Sequence, residues 1–308
     1  MANELLAALL HMNLSAAAAV LAVLVLRGPT RRYFGAGYAY RLWAAVPVAA
    51  LAALFPPPAA RWIALPGSPK PLVVQAAEAV EHAPAMAILL LWIAGAALAA
   101  SLIAARQMRF LALARQGLAG PAVAGVIAPR IVMPADADLR YTPQERSIIR
   151  AHERAHIDRK DPRINGLIAI AQCLAWFNPL VQIGAREARI DQELACDATV
   201  ISRLPGQRRR YAETLLKTQL ASECVPLGCH WVGTREHPLE VRIKTLALPT
   251  VSERRRDIGL GALATALAMA AYAVWFAQPP GPAVGTGAWS RAAVDVVQMK
   301  LHQPLSLR

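Results

Sequence analysis

Charged residues are scarce in this chain of 308 residues: Asp, Glu, Lys and Arg make up 17% of it, whereas a soluble domain is nearer a quarter charged. Acidic residues are the scarcer sign, with 20 against 33 basic residues, so the formal net charge is +13. Hydrophobic residues make up 56%. This balance argues against an ordinary soluble domain and favours a membrane protein. No nucleic-acid recognition motif accompanies the basic charge, so we expect anionic lipid rather than nucleic acid as its partner.

Apolar runs at four places predict membrane-spanning helices, because a helix rises about 1.5 Å per residue and must cross a bilayer. The runs are 5–26, 38–55, 85–105 and 258–277. The second run contains Pro47, and a hairpin or an interfacial helix is the alternative for it. The first run has no basic segment before it, which favours an anchor over a signal peptide.

Arginine placement predicts the orientation of these spans. Arginines without neighbouring acids follow the first run, others follow the third run, and more precede the fourth: Arg27, Arg31, Arg32, Arg106, Arg109, Arg115, Arg254, Arg255 and Arg256. We therefore expect a multi-pass protein of the cell (inner) membrane with its N-terminus outside. Residues 106–257 would form a cytoplasmic domain, and residues 278–308 would form a short extracytoplasmic tail.

Cysteines are few, and all four fall in the predicted cytoplasmic domain: Cys173, Cys196, Cys224 and Cys229. Disulfides are disfavoured in the cytoplasm. Cys224 and Cys229 have no second C-x-x-C partner, so we expect reduced thiols rather than a second metal site.

A rare pattern interrupts this composition: His152-Glu153-Arg154-Ala155-His156 is an H-E-x-x-H motif in a chain with 7 histidines. Two imidazoles four residues apart lie on one face of a helix and can bind a single Zn²⁺. The glutamate between them can take a proton from zinc-bound water. The motif therefore predicts metal-assisted peptide hydrolysis.

The residues before the motif predict a helix start. Thr142, Pro143 and Glu145 have the chemistry of the N-cap, N1 and N3 positions, and Asp161-Pro162 is expected to end the helix. A metzincin would continue with glycine at position 159 and histidine at position 162. This chain has Arg159 and Pro162 there, which excludes that class.

A second predicted helix, 185–200, carries Glu193 and Asp197 four residues apart on one face. Glu193 can complete a His₂Glu site that leaves a fourth position for water. Asp197 is placed to accept a hydrogen bond from the free N–H of a ligand histidine. The alternative is a solvated charged face, with Arg186 and Arg189 as partners.

Several motifs in order give residues 125–203 a resemblance to the BlaR1/MecR1-type membrane metallopeptidases of peptidase family M56. The matching segments are Pro129–Pro134, Ala151–His156, Arg159–Pro162, Trp176–Pro179, Asp191–Asp197 and Tyr211–Leu216. The resemblance implies one zinc ion bound by His152, His156 and Glu193, with Glu153 as general base. It also implies a regulatory protease that brings about cleavage of a cytoplasmic transcriptional repressor of the winged-helix type.

The fold we expect is mainly α: a four-span membrane protein with an α+β zincin-like (gluzincin) domain inserted between spans 3 and 4. Segments 123–127 and 130–133 are short and β-branched and predict a small sheet, one strand of which would hold the substrate in extended form. Residues 162–177 predict an apolar helix that packs on the zinc helix or lies at the membrane face.

A further candidate is His237-Pro238-Leu239-Glu240-Val241-Arg242-Ile243, which resembles an H-P-…-R-I run of the Ste24/HtpX-type membrane peptidases. There the histidine and arginine assist the tetrahedral intermediate, which implies a catalytic role for His237. The run is one residue shorter here. The alternative is a helix start with a surface arginine.

The trigger and the partners are open at this stage. Only 31 residues follow Ala277, without an S-x-x-K nucleophile, so we expect no penicillin-binding sensor domain and a stimulus from a separate sensor protein, the lipid or the outer segments. A homodimer is possible. Two other functions stay open: a quality-control protease of the Ste24/HtpX kind, and a non-catalytic adaptor, against which the intact Glu153 argues.

Overall fold

The computed structural model describes residues 2–55, 84–220, 238–247 and 251–278. The elements in chain order are α1 Ala2–Phe34, α2 Ala36–Leu42, α3 Ala45–Ala52, α4 Ala85–Arg115, β1 Ala122–Ala124, β2 Arg130–Val132, α5 Ala137–Arg140, α6 Pro143–Asp158, α7 Asp161–Leu174, α8 Pro179–Arg203, α9 Arg208–Leu220, α10 Pro238–Leu246 and α11 Glu253–Phe276. The described residues are thus mainly helical, as the sequence predicts.

Three helices are long and apolar enough to cross a membrane, within the described ranges: α1, α4 and residues 257–276 of α11. They match three of the four predicted runs. The first two begin side by side, because Leu6, Ala85 and Leu89 pack in one cluster. This chain is therefore a membrane protein with helices α1 and α4 starting at the same end.

The run 38–55 differs from the prediction of a fourth span, because it is divided into the short helices α2 and α3. At the division, the backbone N–H groups of Trp43 and Ala44 donate to carbonyls three residues back rather than four. Pro47 has no N–H to donate to the Trp43 carbonyl, and Val46 donates to that oxygen instead. A four-span arrangement is accordingly not confirmed.

Helix α6 begins as predicted. The Thr142 hydroxyl accepts from the Glu145 N–H, the Glu145 carboxylate accepts from the Thr142 N–H, and Pro143 occupies the first turn. The helix ends at Asp158, three residues before the predicted stop, and Lys160 adopts a left-handed conformation with φ 62°. This tight turn lets α7 begin at once at Asp161.

A core outside the three candidate spans, called the extramembrane core, joins α6, α8 and α9. Ile148 and Ala155 of α6 pack against Cys196 and Val200 of α8 and against Tyr211 of α9. Strands β1 and β2 form a two-stranded antiparallel sheet with Ala122 opposite Val132, and this hairpin contacts α6. The predicted strands are therefore present, although each is only three residues long.

Candidate metal centre

Three side chains converge where α6 crosses α8. The Nε2 atoms of His152 and His156 lie 3.1 Å apart. Each also lies 3.4 Å from an oxygen of the Glu193 carboxylate, Oε2 for His152 and Oε1 for His156. All three residues that the sequence singled out as metal ligands thus present their donor atoms to one point.

These separations fit a small tetrahedral metal ion. Ligands that are each about 2.0–2.1 Å from Zn²⁺ at tetrahedral angles lie roughly 3.3 Å from one another. Two imidazole nitrogens and one carboxylate are also a donor set that Zn²⁺ accepts readily. The site can therefore hold zinc through His152, His156 and Glu193 without rearrangement of the chain.

His156 is oriented by a carboxylate that the sequence interpretation missed as a site residue. Its Nδ1 lies 2.8 Å from Asp161 Oδ2, and Asp161 is almost completely buried. A carboxylate on the outer nitrogen fixes the imidazole tautomer and leaves Nε2 free for a metal. The sequence interpretation gave Asp161 only the role of ending a helix, because nothing in the pattern shows that the Lys160 turn brings it back to the histidine.

His152 is oriented through a hydroxyl. Its Nδ1 lies 2.8 Å from the Tyr211 hydroxyl, which donates to Asp197 Oδ1 over 2.6 Å. Asp197 itself lies 3.5 Å from the same imidazole nitrogen. Asp197 therefore lies behind His152, and the Tyr211 hydroxyl is within hydrogen-bond distance of both. In the sequence, Tyr211 was identified only as part of a family match.

Arg242 joins two carboxylates of α8, those of Glu193 and Asp197. Its guanidinium donates to both oxygens of Asp197, over 2.8 and 2.7 Å, and lies 3.1 Å from Glu193 Oε2. Arg242 is 5% exposed, so the alternative of a surface arginine is wrong. The other member of that predicted pair, His237, lies outside the described residues.

Electrostatics at the site follow from this arginine. Burial opposes ionisation of Glu193, but Arg242 and His156 outweigh it and hold the pKa of Glu193 well below its usual range. Burial likewise disfavours the charged guanidinium, yet Asp197 and Glu193 raise the pKa of Arg242. Glu193 is therefore ionised and ready to bind a cation.

Glu153 follows His152 on α6 and is 8% exposed. Burial raises the pKa of Glu153, an effect that the neighbouring His152 and His156 partly offset. A carboxylate with a raised pKa is a better proton acceptor, which suits a general base.

Cys196 is a second possible donor beside the histidines, since the three residues form a group within 4.8 Å. Its sulfur lies 3.6 Å from Nδ1 of His152 and 3.5 Å from the His152 carbonyl oxygen. That imidazole nitrogen already contacts Tyr211. Cys196 and Glu193 therefore approach His152 at different ring nitrogens, Nδ1 for Cys196 and Nε2 for Glu193.

The described residues form a membrane protein in which an H-E-x-x-H helix and a helix that carries Glu193 bring together side chains that could hold a metal ion. A family model described as BlaR1 peptidase M56 matches residues 7–117 and 112–246. The chain belongs to this M56 family, and membership of a peptidase family indicates a peptidase.

Curated relatives agree over part of the chain. It is 35% identical over 98 residues to regulatory protein BlaR1 of Bacillus licheniformis. The aligned region covers 32% of this chain and 16% of that protein. It is 30% identical over 101 residues to the methicillin resistance mecR1 protein of Staphylococcus aureus. That aligned region covers 32% of this chain and 17% of the relative. The chain spans about a sixth of the length of these relatives. No solved structure matches it.

Proposed function

We propose that this chain is a zinc metalloendopeptidase of the membrane, with one zinc ion bound by His152, His156 and Glu193. The observation that carries the proposal is the set of separations of 3.1, 3.4 and 3.4 Å between the two Nε2 atoms and the Glu193 oxygens. Two imidazoles and one carboxylate at this spacing, with the buried carboxylate of Glu153 next to them, are the groups that zinc-dependent peptide hydrolysis requires.

Zinc bound there would lower the pKa of a water molecule and polarise the peptide carbonyl. Glu153 accepts the proton from that water and later delivers it to the amine that leaves. Asp161 and Tyr211 hold the two imidazoles with Nε2 toward the metal. Arg242 keeps Glu193 ionised and orients it.

We further propose that this activity is regulatory, leading to cleavage of a cytoplasmic transcriptional repressor. The names of two relatives, a regulatory protein and a methicillin resistance protein, support a signalling role. The proposal places the metal site on the cytoplasmic side with the N-terminus outside, because Arg27, Arg31 and Arg32 follow the apolar part of α1 without an acid.

Extended substrate would pair with the β1–β2 hairpin, which contacts α6. A peptide that adds a strand to a sheet edge gains backbone hydrogen bonds without dependence on its sequence. Proline at Val123 or at Ile131 should abolish cleavage and leave zinc in place; normal cleavage by both variants would refute this binding mode.

Comparison of wild type with Glu153→Ala in the native host tests the whole proposal. Zinc content, measured by elemental analysis of the purified protein, should stay at one ion per chain, while the peptides that depend on the protease disappear from the proteome. Glu213→Ala is the matched control, because Glu213 is an exposed carboxylate paired with Arg209 and should change neither result.

The proteome also distinguishes the functions. Loss of fragments from one soluble repressor supports signalling, whereas loss of fragments from many membrane proteins supports quality control. Identical peptide patterns for wild type and Glu153→Ala, under each stress that induces the gene, would show that the chain is not a protease. His237→Ala should lower kcat with zinc retained; an unchanged kcat would remove His237 from the mechanism.

A further inference from the structure

Helix α7 places its apolar and polar faces opposite to those of a helix on the surface of a water-soluble protein. Its outward stripe after the first turn is apolar, with Leu167 65% exposed, Ile170 57% and Leu174 48%. Its inward face carries the polar residues Asn165 and Gln172. A helix in water turns its apolar stripe toward the core and its polar face outward.

Both inward polar side chains donate to α8, although the Asn165 Oδ1 atom has no partner among the described residues. Asn165 donates to Gln192 Oε1 over 3.0 Å, and Gln172 donates to Gln182 Oε1 over 2.8 Å. Arg189 also donates to Gln172 Oε1 over 2.8 Å. These bonds hold α7 to α8 by polar contacts, which is how helices associate where the surroundings are as apolar as their own side chains.

The contacts between α8 and α1 show how far α8 extends along the apolar run of α1. Asn178 donates to the Asn13 carbonyl, a Cβ at Gly184 would meet Val20, and Asp191 is paired with Arg27. The two helices therefore run parallel and in step. Asn13 lies inside the apolar run 5–26, about 20 Å from its end at residue 26, since each residue rises about 1.5 Å.

Helix α7 covers the same depth on its way in. It has 14 residues, which gives about 21 Å. At its end the Trp92 indole of α4 donates to the Leu174 carbonyl over 2.6 Å, and Trp176 lies so close to Gly95 that no side chain fits there. Trp92 and Gly95 belong to the apolar part of α4.

Two side chains pair part of the backbone at the turn between α7 and α8. Gln182 donates to the carbonyls of Gln172 and Ala175. The Asn178 side chain accepts from the N–H groups of Leu180 and Val181. Unpaired backbone groups are very costly in hydrocarbon, so these bonds lower the cost of placing the turn there.

We propose that α7 and the first half of α8 form a re-entrant helical hairpin, which enters the hydrocarbon of the bilayer from the side of the metal site and turns back near the middle. The occupant of the Leu167–Ile170–Leu174 stripe is lipid acyl chain. Lipid fits better than a protein partner because α7 packs on α4, whose outer surface exposes Leu90, Leu91 and Leu98 in a candidate span.

The hairpin fixes the metal site at the membrane face. Asp161 is the first residue of α7 and holds His156, while Glu193 follows two residues after Asp191, which pairs with Arg27 at the end of the apolar run. This placement concerns where the site lies and does not depend on whether it cleaves peptides.

Collision of nitroxide labels with oxygen and with a water-soluble nickel chelate tests the proposal in the full chain, reconstituted into phosphatidylcholine vesicles. Single labels are placed at Leu167, Ile170 and Leu174, with Cys173, Cys224 and Cys229 replaced and the buried Cys196 retained. The reference positions are Leu98 in α4, for lipid, and Leu139 in α5, which is 93% exposed, for water.

We expect all three stripe positions to resemble Leu98, with the preference for oxygen over nickel increasing from Leu167 to Leu174. Values like those at Leu139 would overturn the proposal. Spin–spin broadening at Ile170 that disappears on dilution with unlabelled protein would also overturn it, because a second copy would then cover the stripe.

A measurement on the unmodified chain guards against labelled variants that do not fold. Phosphatidylcholine with a photoreactive group in its acyl chain should attach to peptides from residues 167–174 of the wild-type protein, as it does to peptides from α4. Attachment to α4 peptides alone would overturn the proposal. Glu153→Ala should give the same pattern as wild type, which separates this result from the question of catalysis.

Discussion

The two histidines of the candidate metal centre are supported from different parts of the molecule. His156 contacts Asp161 directly, and Asp161 in turn lies 3.4 Å from the Tyr40 hydroxyl of α2 and 3.2 Å from Arg159. His152 contacts Tyr211 of α9. Behind that hydroxyl are Asp197 of α8 and Arg242 of α10, two helices that contribute to the extramembrane core.

The difference shows that His156 is tied to α2, which packs on the candidate span α1 and is called the membrane part with it, whereas His152 is tied to the extramembrane part. The metal site is complete only when both parts are in place, because each supplies the group that sets one Nε2 toward Glu193. The supports also differ in strength. A carboxylate directly on an imidazole N–H is charge-assisted, whereas a tyrosine hydroxyl is neutral.

The largest effect is expected from removal of Arg242, which serves the extramembrane side. Arg242→Leu leaves Glu193 and Asp197 as neighbouring carboxylates without their cation. Loss of one partner from a buried ion pair costs about 3–5 kcal/mol. Chemical unfolding in detergent micelles should show a decrease of this size. Arg209→Leu is the control, since Arg209 is almost fully exposed, and an equal decrease in both variants would contradict the account.

The next effect isolates the membrane side. Asp161→Asn removes the charge that faces His156 but keeps the shape of the side chain. Loss of such a partner weakens metal binding by about 10–100-fold, which zinc titration of metal-free protein would measure. Asp158→Asn, at a partly exposed aspartate paired with Arg203, should bind zinc as wild type does. Unchanged affinity in Asp161→Asn would mean that His156 needs no carboxylate.

The local features were predictable from the sequence because they depend on neighbours along the chain. The cap at Thr142, the spacing of His152 and His156, and the common face of Glu193 and Asp197 all follow from helix geometry and are present in the structure. The supports were not predictable in the same way. The position of Asp161 beside His156 depends on the left-handed conformation of Lys160, and the position of Tyr211 beside His152 depends on how α9 packs across α6.

The predicted membrane spans also divide into those that the local sequence identifies and one that depends on distant residues. Runs 5–26, 85–105 and 258–277 are long and uniform enough for composition alone to identify them. The run 38–55 contains Arg41 and is divided, since Pro47 cannot donate and the Trp43 indole donates to Asp191 over 2.8 Å. That acceptor is nearly 150 residues away in the chain, so no local pattern contains it.

A smaller effect is expected when the neutral support of His152 is removed. Tyr211→Phe deletes the hydroxyl that contacts the imidazole, while Arg242 continues to neutralise Asp197. A net hydrogen bond is worth about 1 kcal/mol, which corresponds to about a fivefold loss of zinc affinity. Titration of metal-free protein is again the measurement. A loss greater than that of Asp161→Asn would reverse the ranking of the two supports.

The smallest effect is expected at Tyr40, which contacts Asp161 at 3.4 Å and accepts from Gln192 over 2.7 Å. Tyr40→Phe should weaken zinc binding by about twofold, because the contact with Asp161 is long. The Tyr40→Phe variant is most informative when it is combined with other variants in double-variant cycles. Neighbours in one network are non-additive, whereas independent sites add. Tyr40→Phe should therefore have no further effect in an Asp161→Asn background but should add to Tyr211→Phe. Additivity with both would mean that α2 does not act through His156, and that the membrane part supports the metal only through the Lys160 turn.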